Sequence, residues 1–412
     1  MTHGEELNMS YMDRRKLLRA GLGVGGLILS SSLSRSWAQQ GDPIRIGLII
    51  PLTGATSQFG ATMAQAAKIA ETEINSAGGV RGRPIQIVIE DDQSNPEAAV
   101  RAAHKLIDID KVVAIGGSYA SAVTSAIAPL CWEGKTVLLT SSGADSITKL
   151  PHQGYIFRTS PTVTLQGNRV GNFAVELGAK KMFFLGPQTP FAQSYIEIIS
   201  GIFKASGGTG AGLVYEDKKS SYRSEVDQAL KDSPDVIVLG GYVPDTSVVL
   251  KDLYRAGFTG KKIGFSFGVN DALAKAVPAE VSEGTYSLVP SASENSDAYR
   301  RLIAKMNRPS LDSYSCQVYD HVVLASLALA HASSGQADGT AVRDNLRAIS
   351  QDSEGERTDD AVEALRLITS GARVNYDGAS GPLEFADNGD VKGVFFRYEQ
   401  VEDGKLVVRK VG

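Results

Sequence analysis

Residues 44–50, IRIGLII, form an unbroken apolar run rich in β-branched side chains. Such a run suits a strand buried on both faces of a parallel sheet, because a half-exposed strand would alternate apolar and polar positions. Pro51 and Gly54 stop it, and Thr53, Thr56 and Ser57 fill the turn that follows. Met63, Ala66, Ala67, Ala70 and Ile74 then recur at three- and four-residue spacing, the period of a helix, and small residues let that helix lie close to a sheet. Gly78 and Gly79 end the helix where positive φ is needed, and 85–89 alternates into a second strand that leads to Asp91 and Asp92. The stretch is one βαβ unit, right-handed by default, and it commits the chain to an α/β architecture.

The alternation continues. Strand-like runs at 44–50, 85–90, 112–115 and 136–139, separated by helical stretches, build a doubly wound lobe. A second set at 181–185, 212–215, 236–239 and 262–265 is separated by helices at about 164–178, 191–206, 222–231 and 245–256. Two parallel sheets mean two lobes, as a chain of 412 residues already suggests. Later helices are expected at 296–308, 315–333 and 338–349, and the acidic stretch 352–363 reads as a solvated helix face or loop.

Several function classes are disfavoured. A net charge of -4 without any long Lys/Arg block argues against nucleic acid, which needs a concentrated basic face. No P-loop or H-E-x-x-H motif occurs, and Gly116-Gly117 lacks the rest of a dinucleotide fingerprint, so neither an enzyme nor a cofactor is expected. His104, His152, His321 and His331 have no zinc-site spacing, and Asp91, Asp92 and Asn95 read as a strand-end turn in preference to a metal cluster. Cys131 and Cys316 lie in apolar helical contexts and read as buried free thiols, with a disulfide between them left open.

The N-terminus carries an address. The sequence DRRKLL at 13–18 precedes a Gly-rich apolar segment at 20–33, too short to span a bilayer, and then Ser36-Trp37-Ala38 with small residues where a signal peptidase would read. A cleavable export signal is expected at 1–38, with the mature chain starting at Gln39 in the periplasm. The paired arginines resemble a twin-arginine signal, and the Sec route remains the alternative.

The stretches GLIIPLTG, EINSAGGVRGRPI, EDDQSNPEAAVRAAHKLI and VVAIGGSYASAV, in that order, resemble the branched-chain amino-acid-binding family of periplasmic solute receptors, the type I binding proteins that serve ABC importers. The similarity continues through YIFRTSP, DVIVLGGYVPD, CQVYDHVVLASLALAHASS and GPLEFADNGDVKG, covering essentially everything after Gly41. The resemblance implies two lobes joined by three crossings, near 157–161, 286–290 and 372–377. It divides the chain into 42–158 plus 288–373 for the first lobe and 159–287 plus 374–412 for the second, with the hairpin region 382–408 completing the latter. It also implies a monomer that binds a small molecule between the lobes and meets a membrane permease. A receptor of the same fold acting on a signalling partner, or taking an amide- or urea-type ligand, is the alternative.

Candidate site residues follow. Gly116 to Ser121 lead into a helix beginning near Ala122, and hydroxyls beside free N–H groups at a helix N-terminus suit an anion. By resemblance Ser121 matches the family serine that binds the ligand carboxylate, with Tyr119 in the same loop; the other reading makes Ser121 an N-cap. Ser142, Gly143, Ala144, Asp145 and Ser146 match the family segment that holds the same carboxylate. Asp145 stands where that family places a hydroxyl, and two like charges about 4 Å apart cost on the order of 1 kcal/mol even in water. Either Asp145 faces away or the ligand is not a simple carboxylate. From the second lobe, Phe191 matches an aromatic that covers the ligand, and Tyr242 and Phe267 follow their strands. Amino-acid receptors of the family place an acid near Phe267 to pair the ligand's ammonium; this chain has only Asp271, four residues later. A lobe presenting three aromatics suits an aromatic or otherwise apolar ligand.

Overall fold

In the computed structural model, the described residues are 41–412 except 190, 292–295 and 334, so the expected export signal lies outside them. Strands β1 (Ile44–Ile50), β2 (Ile85–Asp91), β3 (Ala114–Gly117), β4 (Val137–Thr140) and β5 (Ile156–Arg158) form the first sheet, all parallel, in the order β2-β1-β3-β4-β5. β1 is buried at every position but Arg45. The helix Gly60–Ser76 lays the expected face of Met63, Ala66, Ala67, Ala70 and Ile74 inward, and Gly78 and Gly79 follow at φ of 104° and 71°.

The second sheet repeats the arrangement. Strands β6 (Lys181–Pro187), β7 (Thr209–Tyr215), β8 (Val236–Leu239), β9 (Lys261–Phe265) and β10 (Tyr286–Ser291) run parallel in the order β7-β6-β8-β9-β10. Between β10 and the C-terminus come three short strands, β11 (Glu356–Thr358), β12 (Val374–Gly378) and β13 (Gly381–Pro382), which form a small sheet of their own. A hairpin of β14 (Phe395–Glu402) and β15 (Lys405–Val411) then extends the second sheet antiparallel beyond β10.

Tyr286–Ser291, where one crossing is expected, is a full strand of the second sheet. The segment expected to cross near 372–377 bonds to groups of the first sheet and its helices as far as Val391: Ala379 and Ser380 N–H donate to the buried Asp320 side chain at 2.8 Å each, and Val391 N–H donates to the Arg158 carbonyl oxygen at 3.0 Å. The acidic stretch also differs, since Glu356–Thr358 pairs as a strand and Asp360 caps the helix Ala361–Thr369.

In each sheet the strand order reverses between the first and third strands, β1 and β3 in one, β6 and β8 in the other. Such switch points leave a crevice at the carboxyl ends of the strands. The segments that follow β3, β4, β6, β8 and β9 meet at one cavity, described next.

Candidate functional site

The cavity is lined by Tyr119, Ser121, Ser141, Gly143, Ser160 and Tyr314 on one side and by Val163, Gln166, Phe191, Tyr195, Tyr242 and Phe267 on the other. Its volume is about 30 Å³, room for one or two waters. The rings explain why. Tyr119 and Tyr314 meet edge to face at 4.6 Å between centroids, Phe191 lies 5.4 Å from Phe267, and Tyr119 faces Tyr242 across the lobes at 6.4 Å. The Ser266 and Tyr314 hydroxyls are hydrogen-bonded at 3.0 Å, also across the lobes. This is a closed arrangement, and a six-membered ring enters only when the lobes or the rings move apart.

The first-lobe wall is a bed of donors. β3 ends at Gly117, φ 93°, where an added Cβ would meet the Ile49 carbonyl, so the chain turns sharply into the helix Ser121–Glu133. Ala120 occupies the N-cap without a side-chain cap, which leaves the first amides of the helix facing outward. Ser121 is therefore the first helical residue, not the N-cap; its Oγ accepts from Ala144 N–H at 3.3 Å. That bond fills an acceptor position and keeps the hydroxyl proton for a ligand. Ser141, 2% exposed, has a hydroxyl without a hydrogen-bond partner among the described residues, although it borders the cavity. An orphaned buried hydroxyl is costly, and a ligand oxygen would satisfy it.

Other candidates lie elsewhere. Ser142 Oγ is spent on Thr124 and on the Ser118 and Tyr119 carbonyls, so it braces the loop. Ala144 lies outside the lining and touches the site only through the N–H it gives to Ser121 Oγ, and Ser146 is exposed outside the lining. Asp145 turns to the N-terminus of the helix Val163–Glu176, accepting from Thr164 N–H at 3.2 Å and Thr164 Oγ1 at 2.9 Å. The charge that raised the problem of repulsion is thus engaged by a helix end, where a carboxylate is favourable. Asp271 is exposed and lies outside the lining. Asp91 is held by the Leu52, Thr53 and Gln93 amides, and Asn95 caps the helix Pro96–His104. Cys131 and Cys316 are buried and free.

The second-lobe wall is aromatic because each strand end launches a ring. Phe191 sits at the N-cap of the helix Ala192–Ala205, Tyr242 at the N-cap of the helix Val243–Arg255, and Phe267 stacks on Phe265 in the turn after β9. Burial raises the hydroxyl pKa of Tyr119 and Tyr195 well above the ordinary value and pushes Tyr314 up to about 12, so all three stay neutral. No Asp, Glu, Lys, Arg or His appears among the lining residues.

Two buried groups behind the wall were missed by local motifs, because their partners are far away in sequence. Arg158, fully buried, donates to Asp390 through Nε at 2.9 Å and Nη2 at 2.5 Å, to Thr148 Oγ1 at 2.9 Å and to the Ala144 carbonyl at 2.6 Å. It fixes the loop that carries Gly143 and Ala144. His321 accepts from Gly117 N–H at Nδ1 (3.0 Å), which leaves Nε2 as the protonated nitrogen facing Thr159 Oγ1 at 2.8 Å. It joins the turn after β3 to the crossing after β5. Ser160, Val163, Gln166, Tyr195 and Tyr314 also line the cavity without having been singled out from sequence, and Ser141, in the polar loop 141–146 read from sequence, lines it too.

The sequence profile of the periplasmic binding proteins matches residues 43–365, most of the chain. The chain belongs to the periplasmic binding protein family. Among relatives of this receptor, the leucine-, isoleucine-, valine-, threonine- and alanine-binding protein of Pseudomonas aeruginosa is 28% identical over 323 residues, covering 76% of this chain and 84% of its own. Solved structures similar in fold include the leucine binding protein LivK of Thermotoga maritima MSB8, with a TM-score of 0.77, 22% identity and coverage of 89% of this chain and 98% of its own. A solute binding protein of an R. palustris ABC transporter, in complex with benzoate, superimposes with a TM-score of 0.73 at 18% identity, covering 90% of this chain and 96% of its own. The receptor has the type I fold of these proteins, two parallel-sheet lobes facing one cleft.

Proposed function

We propose that this receptor captures a small aromatic carboxylate between its lobes in the periplasm and presents it, closed, to the membrane permease of an ABC importer. The observation that carries the reading is the composition of the cavity wall: hydroxyls and helix-end amides beside the Tyr119 and Tyr314 rings on one side, mostly aromatic rings on the other, and no charged side chain among the lining residues. A carboxylate satisfies Ser121, Ser141 and the free amides after Ala120, and the aromatic wall covers the ring. An α-amino acid would bring an ammonium into a wall with no anion to receive it, and an unpaired buried charge costs several kcal/mol or neutralises. The benzoate complex of a protein with the same fold supports the choice of ligand class.

A branched-chain amino acid is the second reading, favoured by the Pseudomonas relative. The export signal at 1–38, cleavage after Ala38 and a monomeric state belong to the same proposal, as does movement of segments around residues 159–162 and 392–394 as hinges. A thermal-shift screen of the mature protein against benzoate, 4-hydroxybenzoate, benzamide and leucine tests it. The aromatic acids should raise Tm by several degrees at millimolar concentration, with leucine giving less. Stabilisation by leucine alone would replace the first reading with the second.

A further inference from the structure

The second lobe places one polar side chain in the cavity wall besides the tyrosines. Gln166, on the helix Val163–Glu176, is 5% exposed and lines the cavity. Its Nε2 donates to the carbonyl of Pro161 at 2.9 Å, in the first crossing between lobes. A carbonyl can only accept, so this bond fixes which end of the amide faces the crossing. The same nitrogen lies against Gly143, where an added Cβ would sit 3.1 Å from it. Gly143 belongs to the donor bed of the first lobe, and Val163 N–H donates to its carbonyl at 2.8 Å.

Gln166 thus comes from the second lobe but stands at the polar end of the site. An amide nitrogen carries two protons, and Pro161 takes one. We propose that Gln166 is a specificity-determining residue whose second Nε2 proton is donated to the ligand carboxylate, so that the second lobe reads the anion as well as the ring. This rests on the aromatic-acid reading above and deepens it. The consequence is a coupling: a neutral isostere fills the cavity equally well but gains less from Gln166, so the carboxylate is what this contact rewards on closure.

The test compares benzoate with benzamide by calorimetric titration of the mature wild-type protein, Gln166→Met and Gln166→Glu. Gln166→Met keeps the length and removes the donor; Gln166→Glu sets a carboxylate against the ligand's own. Both should lower benzoate affinity about tenfold or more while changing benzamide affinity severalfold less, and the lost Pro161 bond should lower Tm of the unliganded protein by a few degrees whichever ligand is tested. Equal losses for both ligands would make Gln166 a structural residue, and no loss would remove it from recognition. Wild-type protein that binds neither compound would overturn the aromatic-acid reading itself. Should the variants fail to fold, the wild type still decides: one Gln166 side-chain amide proton should move downfield in NMR with benzoate and much less with benzamide, and equal shifts would refute the donor role.

Discussion

Asp145 shows how far a single position can be read. Sequence placed it among the ligand contacts because its neighbours match a binding segment, and its charge then conflicted with a carboxylate ligand. The structure gives it a different partner, the amide and hydroxyl of Thr164, nineteen residues on. Asp145→Ala should therefore lower unfolding free energy by about 0.5–1 kcal/mol, the worth of a lost helix-end contact, and leave ligand affinity within twofold in a parallel titration. His321 is the opposite case, a histidine that sequence could only assign to a helix. Burial depresses its pKa to about 3 from 6.5, so between those values the unfolded chain binds a proton that the folded protein refuses. Stability is lost as pH falls through that window, by at most about 1.4 kcal/mol per pH unit. Its neighbour Asp320 acts in the other direction: burial raises it to about 7, the folded state keeps a proton between 3.8 and 7, and stability falls as pH rises. The difference between His321→Gln and wild type isolates the histidine. That variant should be less stable at pH 7, and the gap in Tm should narrow steadily towards pH 4.5; a constant gap would contradict the neutral, buried assignment. What the sequence showed of the site was the residues next to strand ends; what it hid were Ser141's missing partner, Gln166 and Tyr314, which only folding brings to the wall.

Elements that announce themselves by period or by a continuous apolar run were legible. β1, β8 and the helix Gly60–Ser76 lie where composition and spacing put them. The helix Ser313–His331 is buried at every residue from Ser313 to Leu329, so it shows no polar face, and its apolar length alone marks it. The C-terminal segment was the hardest to place, because β12 and β13 are short and are held by contacts to Asp320 and Arg158 that no local pattern encodes. Arg158 links β5, the loop before it and the segment that ends at Val391. Arg158→Met should cost about 3–5 kcal/mol by leaving Asp390 and the Ala144 carbonyl without their partner, read as a lower denaturation midpoint in urea. It should also weaken ligand binding, because the loop bearing Gly143 loses its anchor.

At the scale of the molecule, two copies of the same strand order face each other across one cleft, and the closed state is held partly by the bond between Ser266 and Tyr314. The two-lobe plan was legible because the βα alternation restarts, whereas the anchors of the C-terminal segment join residues distant in sequence. Ser266→Ala removes about 1 kcal/mol from closure and should weaken ligand binding about fivefold, with Tyr314→Phe similar and the double variant no worse than either. Small-angle scattering should show the corresponding shift towards an open form in the unliganded protein. The central claim is that the uncharged, donor-and-aromatic cavity selects an aromatic carboxylate over a zwitterion. Calorimetric titration of the mature protein with benzoate and with leucine, under one buffer, tests it most directly. Tighter binding of benzoate, abolished or sharply weakened in Ser141→Ala together with Phe267→Ala, is the predicted result; tight leucine binding with no heat from benzoate would contradict it.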